Sequence, residues 1–319
     1  MKTPKYWQSN SLISKLLYPI GAVYGVLTQA RLRFVKPKKA EIPVICVGNI
    51  TAGGTGKTPV SISIAKILDL ELRHPYFVTR GYGGCLQNVI VNNKKHSAAE
   101  VGDEPLLLSH QAPVVVNADR YAGAKLAVKN GADVIIMDDG FQNPTLYKNL
   151  SFLVFDGNYG IGNGKIIPAG PLRETFQNGV KRADALIILG KDKHDLAAKS
   201  GLPVFFGHTE AVQTCTIENP NVLAFAGIGH PQKFYHTLSQ QGFNVVETID
   251  FPDHHFYSRA ELEKILEKAK NLGAEVYTTS KDYVKIPHIL QKEIKVLEVA
   301  VVWDEPEKLA DFIRKKITD

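Results

Sequence analysis

The chain has 319 residues, 44% of them hydrophobic and 22% charged, with a formal net charge of +6 and a sequence pI near 9.0. That length exceeds one ordinary core and predicts two domains, and the composition excludes a low-complexity or repeat architecture. The basic balance favours acidic partners such as a nucleotide, a phosphorylated substrate or an anionic membrane. Cys46, Cys85 and Cys215 are far apart and odd in number, which excludes a disulfide framework or a thiolate metal site and fits reduced thiols in a cytosolic protein.

Before Glu41 there is no acidic residue, whereas Lys2, Lys5, Lys15, Arg31, Arg33, Lys36, Lys38 and Lys39 are basic. Among them Leu12, Ile13, Leu16, Leu17, Ile20, Val23, Tyr24 and Leu27 recur at helical spacing and form one apolar stripe. Lys15, Pro19 and Gln29 interrupt the run, making it a poor transmembrane span, and no small-residue cleavage site follows it. Two readings stand side by side: a basic amphipathic helix lying on an anionic membrane, or a helix packed on the domain.

The apolar run 42–47 then leads into Thr51-Ala52-Gly53-Gly54-Thr55-Gly56-Lys57-Thr58, followed by a helical pattern from 59 to about 72. Strand, glycine-rich turn and helix start form a phosphate cradle, in which backbone N–H groups and the helix dipole face an anion. Lys57 would reach the β/γ-phosphates and the Thr58 hydroxyl would ligate Mg²⁺. The usual pattern has glycine where Thr51 stands, so Gly53 and Gly54 must supply the flexibility.

A short strand at 76–79 ends in Arg80-Gly81-Tyr82-Gly83-Gly84, where Arg80 either binds phosphate or stays solvated. In the turn 102–105, Asp103 or Glu104 would serve as a helix cap or as a site carboxylate. A strand at 114–116, a helix at 119–130 ended by Gly131, and a strand at 134–137 follow. The last runs directly into Asp138-Asp139-Gly140-Phe141-Gln142. Aspartates at a strand end downstream of a phosphate loop favour metal chemistry over a plain turn. Strands at 152–155 and 186–189 flank a glycine-rich loop leading to Pro168-Ala169-Gly170-Pro171-Leu172-Arg173-Glu174. Arg173 would stabilise transferred phosphoryl charge, or else pair with Glu174 at the surface. Alternating strands and helices give a parallel sheet covered on both faces, with ligands beyond its carboxyl edge.

A second series covers 222–226, 244–249, 275–279 and 296–302 as strands and 231–240, 261–271 and 306–316 as helices. Within it, His254 and His255 follow Asp253 in a loop; their spacing suits proton transfer or positioning better than metal binding. The expected division is a basic amphipathic helical segment (1–40), a P-loop nucleotide-binding α/β/α domain with a mainly parallel sheet (41–207), a linker (208–221) and a smaller C-terminal α/β/α domain completing a cleft (222–319).

Together VGNITAGGTGKTP (47–59), RGYGG (80–84), GDEP (102–105), DDGFQ (138–142), PAGPLRE (168–174), FAGIGHP (225–231), FPDHH (251–255) and TTSKD (278–282) resemble the tetraacyldisaccharide 4'-kinase family of lipid A synthesis, in the family's order and over nearly the whole chain. The resemblance implies ATP and Mg²⁺ as co-substrates and phosphorylation of the 4'-hydroxyl of an acylated glucosamine disaccharide 1-phosphate. It also implies two α/β/α domains joined by a β-stranded linker. It identifies Asp103 with the family's catalytic aspartate and His254 with its helper, Lys57 and Thr58 with phosphate and Mg²⁺ contacts, and Arg173 with the loop arginine. Asp138, Asp139, Glu104 and Gln142 match positions near the metal and nucleotide. The family tolerates Thr51, and its N-terminal segment associates with the cytoplasmic face of the inner membrane, which favours the membrane-facing helix. No nucleic acid and no obligate protein partner are indicated. Rival classes sharing the loop are a membrane-associated ATPase switch and a soluble kinase of a small sugar-like substrate. Ser280-Lys281-Asp282 lacks the asparagine and spacer of a guanine-reading motif.

Overall fold

The computed structural model describes residues 4–212 and 219–318; Lys2, Cys215 and residues 213–218 of the expected linker lie outside them. Thirteen strands among the described residues form two sheets. In chain order they are β1 (Val44–Gly48), β2 (Pro75–Thr79), β3 (Val89–Ile90), β4 (Val114–Val116), β5 (Val134–Asp138), β6 (Leu150–Asp156), β7 (Ala185–Leu189), β8 (Val204–Ala211), β9 (Asn221–Ala226), β10 (Asn244–Asp250), β11 (Glu275–Thr279), β12 (Ile294–Leu297) and β13 (Val299–Trp303).

The larger sheet runs β13-β8-β7-β6-β1-β5-β2-β4-β3 and is parallel except at its two edge pairs. β1 lies at its centre, paired with β5 and β6. Its side chains alternate between two cores. Ile45 and Val47 join Val60, Ile64 and Leu68 of the helix Lys57–Leu70, while Val44 and Cys46 face Ala124 and Ala127 of the helix Arg120–Lys129. Burial on both faces is why the strands read as continuous apolar runs. It also pushes the Cys46 thiol up to about 11.

The smaller sheet, β10-β9-β11-β12, is wholly parallel. The single strand expected at 296–302 is in fact two: β12 pairs with β11 in this sheet, whereas β13 pairs antiparallel with β8 in the larger one. Only Glu298 separates them. The final helix, Pro306–Thr318, places Leu309, Ile313 and Ile317 in the core shared with the phosphate-loop helix. The chain end therefore returns to the first unit, correcting the assignment of all of 222–319 to the second. Likewise the expected linker begins inside β8, and the β8–β13 pair joins the two units through the edge of the larger sheet.

The apolar N-terminal run folds as two helices, Leu12–Leu16 and Tyr18–Phe34. They dock through their smallest residues. Ser14, Gly21 and Gly25 are buried, and a Cβ on Gly21 would lie 2.7 Å from the Ile166 carbonyl oxygen. The Ser14 hydroxyl donates to Ala169 O at 2.8 Å, and Trp7 Nε1 donates to Pro168 O at 3.0 Å. The apolar stripe faces outward, with Leu12 81% and Leu16 79% exposed. Among the described residues no helix is long and apolar enough to cross a membrane.

Candidate active site

The site is assembled at the carboxyl edge of the larger sheet. Gly53 (φ +125°) and Gly56 (φ +84°) take left-handed conformations that bend the loop from β1 into its helix. Thr51 needs no such freedom: it is buried, forms an antiparallel bridge with Leu172, and receives a hydrogen bond from the Asn49 amide. Backbone bonds from Ala52 N to Pro171 O and from Arg173 N to Ile50 O, both 2.7 Å, fasten the phosphate loop to residues 168–174.

This pairing decides where Arg173 goes. Its guanidinium donates to Asp139 Oδ1 at 3.1 Å, and Lys57 Nζ lies 3.7 Å from the same oxygen. Arg173 does not pair with Glu174, which is buried against Arg182 at 2.5 Å instead. Burial alone would raise the Asp139 carboxyl, but Lys57 and Arg173 hold it below the usual carboxylate range. Gln142 is built into the loop framework: its amide donates to Asn49 O at 2.8 Å and Glu174 at 3.1 Å and accepts from Arg173.

Asp138, at the end of β5, is 2% exposed. It accepts from the Thr58 hydroxyl at 3.1 Å and the Ser61 hydroxyl at 2.8 Å. Burial, reinforced by the nearby Glu104 charge, raises its carboxyl to about 7. Among the described residues no three His, Cys, Asp or Glu side chains gather into a metal-binding group. Thr58 and Asp138 do offer hard oxygen donors, and the uncompensated charge at Asp138 is what a divalent cation would neutralise; water and phosphate oxygens would complete such a shell.

Opposite, Gly102 (φ +94°) turns the chain so that Asp103 opens the short helix Asp103–Leu108. His254 Nδ1 reaches Asp103 Oδ2 at 2.9 Å from the loop after β10. His254 itself has φ +60° and Asp139 φ +52°, so both are aimed by left-handed backbone, a strain that gathers at functional sites. Burial opposes ionisation of Asp103, but the His254 hydrogen bond, with Lys281 nearby, holds its carboxyl below the usual range. The same bond raises His254, against burial and Lys281. The neighbouring His255 turns away and meets Glu261 at 3.2 Å.

A profile of the family described as Tetraacyldisaccharide-1-P 4'-kinase matches residues 13–318. The chain belongs to that family. It is 47% identical to the tetraacyldisaccharide 4'-kinase of Parvibaculum lavamentivorans over 90% of this chain and 87% of the relative. The corresponding protein of Paramagnetospirillum magneticum is 43% identical over 97% of each chain. A crystal structure of LpxK from Aquifex aeolicus, solved with ATP, superposes with a TM-score of 0.81 and 29% identity, covering 96% of this chain and all of the other. Family membership makes the chain a phosphotransferase, a tetraacyldisaccharide 4'-kinase, and accounts for the pairing of a phosphate loop with a second α/β unit.

Three parts of this kinase site escaped the sequence. Ser61 braces Asp138 from the first turns of the helix. The FAGIGHP loop of the second unit overhangs the phosphate loop, since a Cβ on Gly53 would lie 3.9 Å from His230 Nε2. Lys281 Nζ stands 3.4 Å from Glu104 and 3.3 Å from His254 Nε2. The motifs carrying His230 and Lys281 were visible, yet nothing local shows that either residue crosses between units.

Proposed function

We propose that the chain transfers the γ-phosphoryl group of ATP to the 4'-hydroxyl of a tetraacylated glucosamine disaccharide 1-phosphate, using Mg²⁺. The observation that carries this reading is the Asp103–His254 contact between the two units, next to Glu104, whose charge acts on Asp138 beside Thr58 of the phosphate loop. Residues 51–58 hold the nucleotide phosphates, Lys57 and Arg173 offset developing negative charge, and Thr58 and Asp138 hold the metal. Mg²⁺ held by Thr58 and Asp138 would neutralise charge on the phosphate oxygens.

Asp103 takes the acceptor's proton as the 4'-oxygen bonds to the γ-phosphorus and the bond to the bridging oxygen breaks, releasing ADP. A sugar hydroxyl is a weak acid, so a carboxylate kept ionised within hydrogen-bond reach lowers the barrier. His254 holds that carboxylate in place. The second unit's loops exclude water that would otherwise consume ATP.

The lipid side is supported by the N-terminal helices. Their exposed stripe and the basic residues beside it suit an anionic inner-membrane surface on the cytoplasmic side. A groove of about 630 Å³ between the helix Tyr18–Phe34 and residues 164–166 suits an acyl chain. The deciding experiment is incubation of the full chain with ATP, Mg²⁺ and the tetraacyl disaccharide 1-phosphate, followed by product mass. A gain of one phosphoryl group at the 4'-position is expected; no gain while nucleotide binds rejects the substrate.

A further inference from the structure

We propose that Lys281 is a positioning residue for phosphoryl transfer: in the neutral form of His254 its ammonium donates to Nε2 and thereby fixes the imidazole as an Nδ1–H donor to Asp103. The inference rests on the reading that Asp103 takes the acceptor's proton.

The geometry is specific. Lys281 Nζ lies 3.3 Å from His254 Nε2, and the other ring nitrogen lies 2.9 Å from Asp103 Oδ2. The same ammonium is 3.4 Å from Glu104, 3.5 Å from Asp253 and 4.0 Å from Asp103. With its side chain 22% exposed, it sits among three carboxylates and one imidazole. Burial disfavours the charge, but those carboxylates more than restore it, so Lys281 remains an ammonium. An ammonium has donors only, and the ring nitrogen facing it must accept. A proton on His254 Nε2 would place two positive groups against each other.

The platform under Lys281 is rigid. The Thr279 hydroxyl caps its helix, Ser280–Tyr283, and the next residue, Asp282, is fully buried. Asp282 accepts from Gly227 N at 3.0 Å and the Tyr257 hydroxyl at 2.9 Å, and lies 2.7 Å from Lys285 Nζ. The Lys281 stem is therefore tied to the loops following β9 and β10.

The consequence for the reaction is a division of labour. His254 already holds a proton at Nδ1, so it orients Asp103 and does not receive the hydroxyl proton. Asp103 keeps that proton until product leaves. Lys281 also spans the two units, because Asp103 and Glu104 belong to the first and Asp253, His254 and Lys281 to the second.

The test compares the full chain with its Lys281→Met, Lys281→Arg, His254→Ala and Lys281→Met/His254→Ala variants. Lys281→Met is expected to lower kcat by about 10²-fold while KM and directly measured ATP affinity stay within about twofold, with partial recovery in Lys281→Arg. In the His254→Ala background the same substitution should cost less than about threefold. Nitrogen-15 spectra of histidine-labelled protein at alkaline pH should show neutral His254 as the Nδ1–H tautomer in the parent and altered in Lys281→Met. A parent showing the Nε2–H tautomer overturns the proposal even where the variants fold poorly, and so does an equal kcat loss with and without His254. If Asp103→Asn retains the full rate, the underlying proton-transfer reading fails instead.

Discussion

His254 Nδ1 stands 2.9 Å from Asp103 Oδ2, joining residues 151 positions apart that belong to different units. With the Lys281–Glu104 and Lys233–Asp156 pairs, the contact is one of those by which the two units meet. Asp103→Asn should lower kcat by about 10³-fold and His254→Ala by about 10²-fold. The double variant should be no slower than Asp103→Asn alone, because removing either partner disables one unit of function. Single-turnover rates with nucleotide saturating would check this; losses that multiply would reject it.

The pair also ties stability to pH. The Asp103 carboxyl lies below its ordinary 3.8, so its stabilisation is present above that value and is lost as pH falls through the lowered one. His254 lies above its ordinary 6.5, so its share is full below that pH and is lost as pH rises through the raised value. The melting-temperature gap between the parent and His254→Ala should therefore be widest between 3.8 and 6.5 and narrow above neutrality. A gap that widens with rising pH would reject the assignment.

Ser61 donates to Asp138 at 2.8 Å and orients a carboxylate that faces Thr58 on its other oxygen. Ser61→Ala should weaken the apparent Mg²⁺ affinity by about tenfold while leaving the fold intact. Titrating the rate with Mg²⁺ at fixed ATP gives the answer; an unchanged midpoint would remove Ser61 from the site.

Replacing Leu12, Leu16, Val23 and Leu27 by serine removes side chains that are mostly exposed. The melting temperature should hardly move, whereas co-sedimentation with anionic vesicles should fall sharply. Gly21→Leu should act oppositely. A Cβ there would lie 2.7 Å from the Ile166 carbonyl oxygen, so the helix would lose its seat while keeping its apolar stripe.

The phosphate loop and Asp138 were legible because their signals are local: a buried strand, left-handed glycines and a helix start lie within a few residues of one another. The N-terminal stripe was equally legible, but its orientation was not. Amphipathic logic puts large apolar residues inside, whereas here Gly21 and Gly25 allow the backbone close and the leucines face out. The run at 294–303 is interrupted only by Lys295 and Glu298, too weak a break to show that its halves join different sheets, a choice made by distant partners. β8 is half exposed and carries Gly207, so it gives a weak strand signal. Lys281 is one lysine among many in sequence and acquires its place only when Glu104 and His254 arrive.

The return of β13 to the larger sheet changes what the chain terminus is. Trp303 Nε1 donates to Ser63 of the phosphate-loop helix at 2.7 Å, and Phe312 packs against Phe152 and Phe205. The second unit is thus spliced into the first as an insert, entering and leaving through adjacent strands like a page held at its spine. A protein shortened after β12 would keep the acceptor-side loops and lose an edge of the donor-side core, so a nick near the end of the chain would be felt first at ATP.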